Sequence, residues 1–170
     1  MTTPNIIVAD KTPYIEKLDQ KLGYQYMFLR PRRWGKSTFL QTLAVYYNKA
    51  KKDSFNDIFG QLYISKHPTP ARSSLLILLF DFSSISCLGD RPRTQVNFDR
   101  VIDTSLRRFL LENAKFLGDP DIEKLMEGNG SQCLERVLVS SSALGEPSAS
   151  LTNYSGPCRW EGRETFRWSR

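Results

Sequence analysis

Residues 30–38, with the sequence RPRRWGKST, join two segments of different hydrophobic pattern. Before them, residues 24–29 (YQYMFL) are aromatic and apolar and lie between a glycine and a proline, which predicts a short buried strand. After them, apolar residues recur at helical spacing from Lys36 to about Tyr47. The chain is therefore expected to pass from a strand through a basic loop directly into a helix.

This loop contains the last three residues of a phosphate-binding pattern. The usual form is GxxxxGK(S/T), in which backbone N–H groups and the N-terminus of the following helix surround an anion. Gly35 lets the backbone approach a phosphate, and Lys36 places an ammonium between the outer phosphates. Ser37 offers a hydroxyl to Mg²⁺, and Thr38 adds a second hydroxyl. The alternative is a surface turn with a basic cluster.

Hydrophobic patterns elsewhere predict further elements. Residues 75–82, LLILLFDF, form the most apolar run, which is typical of a strand covered on both faces. Thr12 and Pro13 predict a helix start in which the threonine side chain caps the helix. Helical spacing predicts a long helix through residues 98–110 and a short one at residues 131–138. A chain of 170 residues is long enough for one such domain with a core.

Three segments together carry a family resemblance. They are DKTPYIE at residues 10–16, FLRPRRWGKS at residues 28–37 and LFDFS at residues 79–83. In their order and spacing they resemble the family of predicted AAA-ATPase-like proteins, in which a DKT(P)xxI element precedes an RPRR(F/W)GKS loop and a strand ending in DFS follows. Arginine at the first loop position, here Arg30, is normal in that family. The resemblance extends more loosely to about residue 138.

The resemblance implies an α/β, P-loop NTPase-like domain that binds ATP with Mg²⁺. The metal ligand is then Ser37. The residues expected to contact the nucleotide are Arg32, Arg33, Trp34, Gly35, Lys36, Ser37 and Thr38.

ATP hydrolysis requires further residues, namely an apolar strand ending in an acidic residue near Mg²⁺, commonly with a second carboxylate. Asp81 is the candidate on a strong strand, but Phe82 and Ser83 follow it where a glutamate is expected. The alternative is that Asp81 ends a neighbouring strand and makes structural hydrogen bonds. The family resemblance favours this alternative, because the DFS strand precedes the acidic strand there. Catalytic residues are left unassigned, and so is enzymatic activity.

The character of the sequence changes at about Ser140. From there it is rich in Ser, Gly, Pro and Arg and has no sustained periodicity, which predicts a disordered or poorly packed segment. We expect a family domain over residues 1–139 and a disordered tail unrelated to the family over residues 140–170. The sheet, with its flanking helices, is then incomplete, and the chain is a C-terminally truncated form of the family.

The formal charge of +6 favours polyanionic partners. Nucleotide is the partner that the loop predicts. A basic surface for nucleic acid, with a tryptophan for base stacking, is a second reading that needs more assumptions. Its residues would be Arg30, Arg32, Arg33, Trp34, Lys49, Lys51 and Lys52.

Three widely spaced cysteines, no secretory pattern and no apolar run of about 20 residues predict a soluble protein of the cytoplasm or nucleus, without a membrane partner. Two alternatives to nucleotide binding remain at this point. They are a basic non-catalytic interaction module and a non-functional truncated fragment.

Overall fold

The computed structural model describes residues 9–20, 31, 33–85, 91–143 and 148–153. The predicted strand at residues 24–29 lies outside this part of the chain. Within it, no helix is both long and apolar enough to cross a bilayer. The elements are α1 (Pro13–Asp19), α2 (Lys36–Tyr47), α3 (Phe55–Phe59), α4 (Tyr63–Lys66), β1 (Leu76–Asp81), α5 (Arg91–Asn113), α6 (Ile122–Leu125), α7 (Gly130–Ala143) and β2 (Ser148–Asn153).

The fold is α/β and rich in helix. Its described strands, β1 and β2, pair in parallel with Leu76 opposite Ser148 and Asp81 opposite Asn153. A parallel pair needs a long connection from the end of one strand to the start of the next, and the chain from α5 to α7 supplies it. The predicted α/β class is thus confirmed at this coarse level.

Strand β1 is buried on both faces, as its continuous apolar run predicted. Successive side chains of a strand point to opposite faces. Leu76, Leu78 and Phe80 belong to a hydrophobic cluster with residues of α5 and α7. Ile77 belongs to a second cluster with residues of α1, α2 and α3. The strand therefore separates two cores, and α2 packs in only one of them.

The C-terminal half of α2 is fixed by an aromatic group around Tyr46, which is fully buried. The Tyr46 ring lies 5.1 Å from Tyr47, 5.9 Å from Phe55 and 5.7 Å from Phe59. Its hydroxyl accepts the Thr69 N–H at 2.9 Å and also bonds the Thr69 hydroxyl at 3.0 Å. These contacts hold in place the helix that follows the predicted phosphate loop.

The end of α2 also leads directly toward β1. A parallel bridge joins Asn48 and Leu75. The Lys49 N–H donates to the Leu75 carbonyl at 2.8 Å, and the Leu75 N–H donates to the Tyr47 carbonyl at 2.9 Å. Because these bonds link helix end and strand start, α2 and β1 are held at a fixed relative position.

The N-terminal DKT element ties α1 to the start of α4. One oxygen of the Asp10 carboxylate accepts both the N–H and the hydroxyl of Thr12, at 2.8 and 2.7 Å. Its other oxygen accepts the Tyr63 N–H at 2.9 Å, and the Thr12 hydroxyl oxygen accepts the Ile64 N–H at 3.2 Å. Two first-turn N–H groups of α4 are thereby satisfied by side chains more than fifty residues away in sequence.

The predicted role of Thr12 as the side-chain cap of α1 is therefore wrong. Thr12 precedes the helix in a helical backbone conformation, with φ −66° and ψ −22°, and its side chain makes no capping bond to α1. The Thr12 hydroxyl donates a hydrogen bond to the Asp10 carboxylate, and the hydroxyl oxygen accepts the Ile64 N–H of α4. The helix itself begins at Pro13, as predicted.

The prediction of a disordered tail from Ser140 is wrong for two stretches. Residues 140–143 continue α7, and β2 pairs along the whole length of β1. The main-chain N–H and C=O groups at the edge of β1 require hydrogen-bonding partners. Pairing with β2 supplies them, and this outweighs the weak strand propensity of serine and asparagine. The domain boundary near residue 139 remains a prediction.

The packing of α5 on β1 makes a testable prediction. Leu106 is fully buried between them, whereas Leu111 on the same helix is 68% exposed. Leu106→Ala should lower the free energy of unfolding by about 2–5 kcal/mol, because it leaves a cavity in the core. Leu111→Ala, the matched control, should change it by less than about 0.5 kcal/mol. Urea unfolding measures both, and equal effects would contradict this packing.

The hydrogen bonds from Thr12 and Tyr63 to the Asp10 carboxylate, called the Asp10 clamp below, lead to a prediction about pH. Burial of the carboxylate opposes its ionisation, but hydrogen bonds from Tyr63 and Thr12 outweigh it, so the pKa of Asp10 is lowered. A lowered folded-state pKa adds stability above the ordinary value of about 4, and this stability is lost as pH falls through the folded-state pKa. Asp10→Asn should therefore destabilise the protein at pH 7 and progressively less below about pH 4.

Urea unfolding of wild type and variant between pH 7 and pH 2 tests this. Asp53→Asn, an exposed position, controls for the loss of one negative charge. A stability difference between Asp10→Asn and wild type that stays constant over the whole pH range would show that the carboxylate charge plays no part in the clamp.

Candidate phosphate-binding loop

The residues before α2 form a tight turn with two left-handed backbone positions. Arg33 has φ +65° and Gly35 has φ +71°. Glycine adopts this conformation without strain, whereas a residue with a Cβ such as Arg33 pays on the order of 1 kcal/mol. Gly35 is also the N-cap of α2, and its carbonyl accepts the Phe39 N–H at 2.9 Å. The helix begins at Lys36, as predicted.

The N-terminus of α2 lacks the usual side-chain groups that neutralise a helix start. The N-cap Gly35 offers no side-chain acceptor, and the first turn contains no acidic residue. The partial positive charge of the helix N-terminus is therefore not offset by these residues. Ser37 and Thr38 lie in this first turn and are exposed, with Lys36 half-buried beside them. This arrangement suits an external anion.

The Lys36 side chain turns back across the loop. Its ammonium donates to the Pro31 carbonyl at 3.1 Å, five residues earlier in the chain. The ammonium is thus held on the loop rather than extended into solvent. Among the predicted nucleotide contacts, the structure brings Arg33, Trp34, Gly35, Lys36, Ser37 and Thr38 together at the start of α2, and Arg32 lies outside the described residues, as does Arg30.

Lys11 contacts this loop and was not among the residues predicted from the sequence. Its ammonium donates to the Trp34 carbonyl at 2.7 Å. A Cβ built on Gly35 would lie 2.8 Å from the same nitrogen. The left-handed φ favours glycine at this position, whereas the Lys11 ammonium, at the end of a flexible side chain, can move aside for a Cβ. The one sequence signal for Lys11 was its place in the DKT element, 23 residues before Trp34.

Helix α1 is also joined to α2 at two other points. The Tyr14 ring meets Phe39, the first buried residue of α2, edge to face, with centroids 6.5 Å apart. Farther along, the Tyr47 hydroxyl donates to the buried Asp19 carboxylate. The DKT element, α1 and the loop therefore form one connected unit.

Asp81 lies at the exposed end of β1 and makes a local turn. Its carboxylate accepts the Ser83 N–H at 3.0 Å. Phe82, which stands where a second carboxylate was expected, stacks with Phe80 at 5.7 Å and with Phe98 at 5.2 Å. The parallel neighbour β2, SASLTN, contains no acidic residue and ends at Asn153 opposite Asp81. In the described strands, Asp81 is the carboxylate that the sheet presents.

The residues of the predicted basic surface fall into two groups. Trp34 and Arg33 precede α2, whereas Lys49, Lys51 and Lys52 follow its C-terminal end. A helix of 12 residues separates them, which is about 18 Å at a rise of 1.5 Å per residue. Lys49 also lies over the Phe116 ring at 4.7 Å. The structure does not bring the two groups together.

The side chains in the described part of the chain form no group of three or more His, Cys, Asp or Glu that could hold a metal ion. In a nucleotide complex, the phosphates would supply ligands to a magnesium ion at the loop. Mg²⁺ commonly binds in this way, through one or two protein oxygens, the substrate phosphates and water. The exposed hydroxyl of Ser37 in the first turn of α2 fits that ligand set.

Comparison with known proteins identifies a family. A family model described as Predicted AAA-ATPase matches residues 1–143. No curated protein and no solved structure matches the chain. The matched range includes the DKT element, the loop, β1 and the helices α1 to α7. It covers well over half of the 170 residues. The chain therefore belongs to the AAA-ATPase-like family of predicted AAA-ATPases.

Proposed function

We propose that this chain binds ATP with Mg²⁺ through the loop that precedes α2, in a P-loop NTPase-like domain. The observation that supports this most directly is the start of α2. A left-handed glycine leads into a helix whose first turn has no side-chain cap and no acid, and a lysine ammonium is held over the same loop. Backbone N–H groups, helix dipole and ammonium all favour a polyphosphate there.

Each residue of the loop has a distinct part in the proposed site. Gly35 allows phosphate oxygens to approach the backbone, and the first-turn N–H groups donate to them. Lys36 exchanges the Pro31 carbonyl for the outer phosphates, which are stronger acceptors because they are charged. Arg33 and Trp34, both exposed, line the rim. Bound Mg²⁺ would neutralise phosphate charge, with Ser37 as its protein ligand.

We further propose that binding is not followed by efficient hydrolysis in this chain. Hydrolysis requires a carboxylate near Mg²⁺ and a group that orients water. Asp81 is engaged in a turn with Ser83, the next residue is an aromatic that packs in a ring stack, and β2 has no carboxylate. The role of this site is then to hold a nucleotide.

Removal of the Lys36 ammonium tests the binding site. Charge-assisted hydrogen bonds contribute about 1.5–3 kcal/mol each, so Lys36→Ala should raise the Kd for MgATP at least about tenfold. Calorimetric titration measures Kd, and urea unfolding shows that both proteins are folded. Lys66→Ala, an exposed lysine at the end of α4, is the matched control and should bind like wild type.

Two results would contradict the binding proposal. One is a wild-type protein that folds cooperatively and has no affinity for MgATP. The other is equal MgATP affinity in wild type and Lys36→Ala. Salt-dependent binding of single-stranded DNA that Lys36→Ala leaves unchanged would instead favour a basic interaction module.

Phosphate release tests the second part of the proposal. Wild type with saturating MgATP should release phosphate no faster than a Lys36→Ala sample. Asp81→Asn should retain the wild-type Kd for MgATP within about twofold, because its carboxylate is used in a local turn. Turnover in wild type that is lost in Asp81→Asn at unchanged stability would show instead that Asp81 is catalytic.

A further inference from the structure

We propose that Lys11 belongs to the nucleotide site, where it holds the loop through the Trp34 carbonyl and donates its other ammonium protons to the bound phosphates. This rests on the proposed function and adds to it a cation from outside the loop. In this proposal, the DKT element positions Lys11 at the start of α2.

The position of the ammonium is the first argument. It lies 2.7 Å from the Trp34 carbonyl oxygen and beside Gly35, where a built Cβ would be 2.8 Å away. Gly35 is the N-cap of α2, so the charge lies beside the helix N-terminus. An anion bound by the first-turn N–H groups would therefore be within reach of the Lys11 ammonium.

The hydrogen-bonding capacity of Lys11 is the second argument. An ammonium has three donors. In the described part of the chain, one of them goes to Trp34 and no carboxylate is paired with this lysine. The charge of Lys11 thus meets a neutral carbonyl, and a charged phosphate oxygen is a far stronger acceptor than that carbonyl. The Lys36 ammonium also donates to a loop carbonyl, so two positive charges converge on the same short loop.

The rigidity of its neighbours is the third argument. Asp10 and Thr12, on either side of Lys11, are hydrogen-bonded to the N–H groups of Tyr63 and Ile64. The backbone of Lys11 is thus fixed against α4, and its side chain reaches the loop from there. A fixed donor loses less conformational entropy when a ligand binds than a free surface lysine does. Asp10 and Thr12 thus form the hydrogen bonds to α4, and Lys11 makes the contact with the loop.

Three variants separate charge from geometry. Lys11→Gln can still donate a hydrogen bond to the Trp34 carbonyl but has no charge. Lys11→Arg retains the charge. Lys66→Gln, an exposed lysine in α4, controls for the loss of one positive charge. Calorimetry at low and high salt gives the Kd for MgATP of each, and urea unfolding checks that each is folded.

The expected results follow from direct phosphate contact. Lys11→Gln should raise the Kd for MgATP about tenfold at low salt, and by less at high salt, because salt screens the lost attraction. Lys11→Arg should recover most of the affinity, and Lys66→Gln should match wild type. A merely structural role predicts instead that Lys11→Gln loses stability and that its affinity loss is the same at both salt concentrations.

Two outcomes would overturn the proposal, and they differ from a failure of the proposed function. If Lys36→Ala loses MgATP binding but Lys11→Gln stays within twofold of wild type, Lys11 is not in the site. If Lys11→Gln and Lys11→Arg are equally impaired, the lysine acts through shape and not through charge. If wild type itself does not bind MgATP, both proposals fail together.

Discussion

The rest of the structure depends on the burial of β1 between two hydrophobic clusters. One face packs against α5 and α7 and the other against the group that contains α2, so the strand fixes the position of both layers. The hydrogen bonds between the end of α2 and Leu75 fix the position of α2 relative to β1. Since the candidate phosphate-binding loop is the N-terminal extension of α2, the place of the candidate site is set by packing far from it.

A second constraint acts at the other end of α2. Gly35 has a left-handed φ, which disfavours a side chain at that position, and the Lys11 ammonium lies beside it. Asp10 and Thr12 hold Lys11 against α4, and Tyr14 meets Phe39. Aromatic packing thus fixes the C-terminal end of α2, and contacts with the DKT element and α1 fix its N-terminal end. If this helix start binds an anion as proposed, it is preorganised to do so, because these contacts already hold the backbone in place.

The sequence predicted those elements for which the local residue pattern favours the same structure as the packing of the folded chain. The apolar run of β1, the start of α2 at Lys36 and the start of α1 at Pro13 all follow from residue type and spacing. The errors arose where a distant partner decided the outcome. Thr12 caps α4 and not its own helix, because Ile64 lies close only in the folded chain. Strand β2 forms from weak strand formers, because the edge of β1 pairs with it. Lys11 could not be assigned from spacing, since its partner is a backbone carbonyl.

The central claim, that the start of α2 is the phosphate site, can be tested residue by residue. The most direct measurement is the change in backbone amide chemical shifts when MgATP is titrated into isotope-labelled protein, with MgCl₂ alone as the control. The account predicts saturable shifts concentrated at Gly35, Lys36, Ser37 and Thr38, whose N–H groups would meet the phosphates. Saturable shifts that leave these four amides unmoved and appear at Lys49, Lys51 and Lys52 instead would contradict it.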